Sequence, residues 1–213
     1  MQVVYHGTTK EKAERIIFEK HMNPSVGDRH WLGDGVYFYR DFLYALRWIR
    51  CKNNSDEFLT EYSIISAELN VKKERIFSFF NIEHKLLFQT VLEQGKKKLK
   101  DMNLKDDIVD GAVLNIMFKK MKYGNDYDMV EAVFIHEDKS IAEYNSRLYY
   151  LPEVQICVKN VNVIENLQIR EVVTEELERY LPIVDKFTTK ASGVLSTKDM
   201  KYGTKKINKR YKG

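Results

Sequence analysis

The stretch "WLGDGVYF", residues 31–38, sets Gly33 and Gly35 two positions apart in a chain with only 10 glycines in 213 residues. Glycine serves where the backbone adopts a conformation other residues resist, or where something approaches it closely, and it weakens a strand interior. The stretch therefore reads as a tight strand entry or a ligand wall, with Trp31 as an anchor for the loop or a border of a pocket. Val36, Tyr37 and Phe38 are β-formers, and Phe42, Ala45, Leu46 and Ile49 then recur at helical spacing. The order predicted is loop, short strand, helix.

The rest of the chain has the same mixed character. Residues 2–6, "QVVYH", read as a strand with His6 and Tyr5 on opposite faces. Thr8 and Glu11 have capping-box spacing for a helix whose apolar face is Ala13, Ile16 and Ile17. Downstream, 61–71 reads as a strand, 82–94 as a helix stopping near Gly95, and Val109, Ala112, Val113, Ile116 and Met117 as one face of another helix. Strands return at 129–136, 153–160 and 161–169, before a short helix with Leu177, Tyr180 and Leu181 that ends at Pro182. With no internal repeat and no regular βα alternation, the fold class predicted is α+β.

Composition places this fold in one domain, residues 1–185, with a basic tail at 186–213. The tail carries nine Lys or Arg against the single Asp199, a net +8 that leaves the first 185 residues at −4. Such a tail is either a solvated terminus or a contact for nucleic acid, with Tyr202 and Tyr211 to stack on bases. No apolar run nears the roughly 18 residues of a membrane span, and Met1 leads into "QVVYHG" without a signal-peptide layout, so a cytoplasmic protein with no membrane partner is expected. Cys51 and Cys157 lack paired metal-ligand spacing and read as buried small hydrophobes; no metal is expected.

Two motifs in this frame, "YHGTT" at 5–9 and "GDGVYF" at 33–38, together resemble the poly(ADP-ribose)-polymerase-like, or diphtheria-toxin-like, ADP-ribosyltransferases. The resemblance is carried by His6, Gly7 and Thr8 on the first motif and by Gly35, Tyr37 and Phe38 on the second. Counting on without a gap puts the family's second stacking aromatic on Trp48. The third motif looks like "VQICV", with Gln155 at the family's glutamate position. The implied fold is two small antiparallel sheets forming an NAD cleft, flanked by helices. The remaining histidines, His21, His30, His84 and His136, read as surface or structural.

The resemblance implies that NAD is the co-substrate, sandwiched at its nicotinamide by Tyr37 and Trp48 and read at the amide by the Gly7 backbone. Two aromatic faces suit a flat cation. His6 would hold a ribose hydroxyl, and Thr8 could add one of its own. Gln155 can bond a hydroxyl but brings no negative charge, and Glu153, on the same strand face, is the alternative carboxylate. Ala45 stands where polymerase members carry a nicotinamide-contacting serine.

The function implied is transfer of a single ADP-ribose to a macromolecular acceptor, nucleic acid or protein, in the manner of a bacterial or phage-type toxin with a neutralising partner protein. Three alternatives use the same pocket. One is an NAD glycohydrolase. Another is an NAD-dependent RNA 2′-phosphotransferase, with Arg29, Arg40 and Arg47 as basic candidates. The third is a degenerate module that binds ADP-ribose or nucleic acid without turnover.

Overall fold

The computed structural model describes residues 1–27, 30–53, 55, 57–102, 108–135 and 152–188. Seven strands form one sheet in the order β4-β5-β6-β2-β1-β3-β7. They are β1 (Gln2–Thr9), β2 (Val36–Tyr39), β3 (Tyr62–Leu69), β4 (Ile76–Ser78), β5 (Met129–Ile135), β6 (Pro152–Val158) and β7 (Ile164–Arg170). The helices are α1 (Lys10–Glu19), α2 (Phe42–Lys52), α3 (Phe58–Glu61), α4 (Ile82–Asp101), α5 (Asp110–Asn115) and α6 (Thr174–Thr188). The α+β class holds, with one sheet where two were expected.

The two halves are joined at a single point. β1 pairs with β3 over all eight residues, and β2 pairs with β6 over four, but β1 meets β2 only at Tyr5 and Tyr39. That one pair makes the sheet continuous and leaves a fork between β1 and β2 over residues 6–9 and 36–38. The β4–β5 pair is parallel, whereas the other pairings are antiparallel.

Alternation along the strands gives each face its own core. Val4, Val36, Phe38, Ala67, Ile156 and Val158 share one face, where Ile16 of α1 packs. On the other face, Tyr5, Tyr39 and Ile64 lie with Ala45, Leu46 and Ile49 of α2 and Val184 of α6. A second cluster on that face joins Phe77, Val130 and Cys157 to Val91 of α4 and Val113 of α5, with Tyr37 at its margin.

Several local expectations are corrected by tertiary packing. Strand pairing with β3 carries β1 through Thr9, so Thr9, not Thr8, caps α1, its side chain accepting from the Lys12 amide. Helix α4 continues past Gly95 to Asp101, and α5 runs into a π turn over Ile116–Lys120. Pro182 lies inside α6, which is fastened to α2 by the buried Arg50 through its ion pair with Asp185, at 2.9 Å. The helix thus runs beyond the boundary expected at 185, and the basic tail from residue 189 lies outside the described residues. Cys157 is buried as expected, but Cys51 is exposed because α2 turns Ile49 and Arg50 inward instead.

Candidate functional site

The fork between β1 and β2 brings the two motifs together. His6 donates from Nδ1 to the carbonyl oxygen of Tyr37 at 2.7 Å, a side-chain bond where the backbone ladder has parted. A carbonyl only accepts, so Nδ1 carries the proton and neutral His6 keeps Nε2 as an acceptor. Burial pushes the His6 pKa below 6.5, against the opposing effect of the Tyr37 bond and with a further lowering from Lys12. The imidazole therefore favours the neutral form. It stands edge-on to Phe38 at 5.9 Å, on the sheet face opposite the Tyr37 side chain, and the two meet through the Tyr37 backbone.

Gly7 faces α2. A Cβ there would fall 2.8 Å from Ile49 Cγ2, 2.9 Å from Trp48 Cε3 and 3.1 Å from the Ala45 carbonyl oxygen. Close packing of α2 on β1 thus demands a glycine whether or not a ligand approaches. Trp48 meets Tyr62 edge-on at 6.4 Å and holds the Lys52 ammonium 5.2 Å from its ring centre. Its π face already attracts a cation. Thr8 is buried and in register with Ser63, on the same strand face as His6.

Tyr37 belongs to the loop before it as much as to β2. Its hydroxyl donates to the Gly33 carbonyl at 2.6 Å and accepts from the Leu32 amide at 3.0 Å, while its ring lies 5.7 Å from that of His30. Burial raises the phenol pKa, so this hydroxyl stays protonated. The loop is pinned elsewhere too. Asn115 bonds both the amide and the carboxylate of Asp34, and Lys159 donates to the carbonyls of Leu32 and Asp34 at 2.5 and 2.7 Å. Gly33, at φ +74°, would place a Cβ 2.6 Å from Asn115 Oδ1, and one at Gly35 would lie 2.5 Å from Cys157 Sγ. The paired glycines answer to loop packing; Trp31 adds an edge contact with Phe134 at 4.9 Å.

Gln155 is in register with Tyr39 on β2 and Ala132 on β5. It shares its face with Tyr37, Tyr39 and Glu153. Its Nε2 donates to Glu153 Oε1 at 2.5 Å, and Arg47 Nη1 of α2 donates to Glu153 Oε2 at 2.9 Å. Glu153 is buried and Gln155 half-buried. Tyr39 was not singled out in the sequence, and Arg47, expected there only as a basic residue of the phosphotransferase alternative, is engaged with a carboxylate. Tyr39 is reached through its register with Tyr5 and Gln155, and Arg47 is a carboxylate partner beside Trp48.

A cavity of about 540 Å³ opens at the β4 edge, lined by Arg40, Ser78, Phe80, His84 and Glu131 among others. None of the residues expected to hold NAD lines it, although Arg40, a basic candidate of the phosphotransferase alternative, does. Arg40 there pairs with Glu131 at 2.6 Å. The other expected basic residue, Arg29, lies outside the described residues, as does His136. Among the described residues no group of His, Cys, Asp and Glu is arranged to hold a metal, and no helix is long and apolar enough to cross a membrane.

The chain is 38% identical over 182 residues to the uncharacterized protein MJ0359 of Methanocaldococcus jannaschii, a match covering 78% of this chain and 85% of that protein. No family model matches the chain. No solved structure matches it either.

Proposed function

The chain belongs to the family of that Methanocaldococcus protein, and we propose that it is an NAD-dependent mono-ADP-ribosyltransferase whose site lies at the fork between β1 and β2. The observation that carries this reading is the bond from His6 to the Tyr37 carbonyl, which joins the His-Gly-Thr and Gly-x-Tyr-Phe motifs. Further support comes from the cation-attracting face of Trp48 and from Gln155 on the same sheet face as Tyr37.

In this reading the nicotinamide stacks on Trp48, with Tyr37 opposite, and neutral His6 accepts from a ribose hydroxyl through Nε2. Gln155 takes a second ribose hydroxyl. The bond between C1′ and the nicotinamide nitrogen breaks, and its electron pair leaves with nicotinamide, which departs neutral. An acceptor nucleophile bonds to C1′ and releases its proton to solvent. An uncharged glutamine stabilises the developing positive charge less than a carboxylate would, so one transfer per acceptor is expected rather than chain growth.

The test is to incubate the full chain with NAD labelled in its adenylate portion and cell extract, and then to digest the labelled material with protease or nuclease. Label removed by one digestion identifies the acceptor class, and nicotinamide release without labelled macromolecule identifies a glycohydrolase. Neither label transfer nor nicotinamide release, with NAD bound, identifies a binding module. Failure to bind NAD at all overturns the proposal. Because residues 186–213 carry a net +8, a nucleic-acid acceptor predicts transfer that weakens as salt rises.

A further inference from the structure

The three side chains Arg47, Glu153 and Gln155 form a chain of bonds with a fixed sense. Both carboxylate oxygens of Glu153 are engaged, Oε2 by Arg47 at 2.9 Å and Oε1 by Gln155 at 2.5 Å. A carboxylate in an ion pair only accepts, so the group that Gln155 turns towards it is the amide NH₂. The reverse orientation would set two acceptor oxygens 2.5 Å apart. Gln155 Oε1 is therefore turned away from Glu153, and it accepts no hydrogen bond among the described residues.

We infer that Glu153, itself anchored by Arg47, is a positioning residue that locks the Gln155 amide with Oε1 outward, so that a neutral residue presents a substrate hydroxyl with the acceptor a carboxylate would offer. The inference rests on the transferase reading of this site. It separates the roles of two residues that strand alternation leaves equivalent. Gln155 touches the substrate, and Glu153, whose two oxygens are committed, acts through it. Arg47 keeps the carboxylate from turning. The site would thus favour ligands that bring a hydroxyl donor to Gln155 and reject those that lack it, because the outward oxygen would then be left without its partner.

Three variants of the full chain test this. Glu153→Gln makes residue 153 an amide that can turn its own NH₂ towards Gln155 and consume the outward oxygen; turnover should fall about 10–100-fold, the scale on which loss of an orienting partner acts, with KM for NAD little changed. Gln155→Glu alone sets two carboxylates side by side; while the pair shares one proton, residue 155 donates it to Glu153 and keeps its other oxygen outward, so turnover should survive at low pH and fall as the second carboxylate ionises. The double variant Glu153→Gln/Gln155→Glu restores one amide and one carboxylate in opposite order and should recover turnover relative to Glu153→Gln, without the pH dependence of Gln155→Glu.

A second measurement needs no turnover. In the ligand-free protein, the ¹⁵N-labelled side-chain NH₂ of Gln155, assigned by its loss in Gln155→Ala, should exchange slowly with solvent and lose that protection in Glu153→Gln. Free exchange in the wild type overturns the inference, as does a double variant no better than Glu153→Gln. A protected amide in a protein that neither binds NAD nor releases nicotinamide instead overturns the transferase reading and leaves the amide's orientation standing.

Discussion

His6 and Tyr37, 31 residues apart in sequence, are joined by a 2.7 Å bond from the imidazole Nδ1 to the backbone carbonyl oxygen, at the place where β1 and β2 have ceased to pair. One side chain thus does the work of a ladder rung between two half-sheets. It also fixes its own tautomer, leaving Nε2 as an acceptor. Structure and proposed chemistry make the same demand on His6, that it be neutral.

That demand gives the fold a pH dependence. Burial holds the folded His6 pKa below 6.5, so in mildly acid solution the unfolded chain binds a proton that the folded chain refuses. The contribution is whole above the unfolded value and is lost as pH falls through 6.5 towards the lowered folded value. Urea unfolding should show stability declining as pH falls below 6.5, and His6→Asn should flatten that slope while costing about 1 kcal/mol at neutral pH. An unchanged slope in the variant would mean that His6 titrates alike in both states.

Tyr37→Phe separates the ring from the hydroxyl. The ring could still stack on a ligand, but the Leu32 amide and the Gly33 carbonyl would lose their partner in a half-buried setting. The expected cost is about 1–3 kcal/mol of stability, read by denaturant unfolding, with NAD affinity by calorimetry changed far less. A large loss of affinity without loss of stability would transfer the hydroxyl from the loop to the ligand.

The loop-strand-helix order around residues 31–49 was legible because alternation and helical spacing are local signals. Strand β4 was not, since three residues, Ile76–Ser78, are too few to show a period. Gly95 and Pro182 are local breakers that packing overrides: α4 continues through Gly95, and α6 is held across Pro182 by Arg50, Asp185 and the buried Val184. The single sheet was hidden for a related reason, because its continuity depends on one register pair, Tyr5 with Tyr39. Among the candidate site residues, the strand positions of His6 and Tyr37 and the shared face of Glu153 and Gln155 were legible from β-former runs and alternation. The engagement of Glu153 by Arg47 spans 106 residues and leaves no local trace.

The packing role of Gly7 is open to direct test. Gly7→Ala forces the new methyl against Ile49, Trp48 and the Ala45 carbonyl, so α2 must shift. A destabilisation of about 1–3 kcal/mol is expected from overpacking, measured by urea unfolding. In a Trp48→Ala background the cost should fall but not vanish, since the Ile49 contact at 2.8 Å remains. Equal cost in both backgrounds would show that Trp48 gives way freely.

Asp34 governs the acid limit of the loop that carries Tyr37. Burial alone would raise its pKa, but a bond from Lys119, the Gly27 amide at 3.0 Å and the Asn115 side chain at 3.2 Å outweigh it and hold the group at about 2, against 3.8 unperturbed. A depressed carboxylate stabilises the fold above its unfolded pKa and loses that contribution as pH falls towards the folded one. Stability should therefore drop between 3.8 and about 2, followed by near-ultraviolet circular dichroism during acid titration. Asp34→Asn removes the charge that Lys119 and the loop amide answer to, so it should lower stability at neutral pH and make the acid decline shallower. Some decline persists in the variant, because Asp128, held down by Arg75, titrates below its ordinary value as well. If the variant unfolds with the wild-type acid profile, the loop is secured by Lys159 and Asn115 without the charge of Asp34.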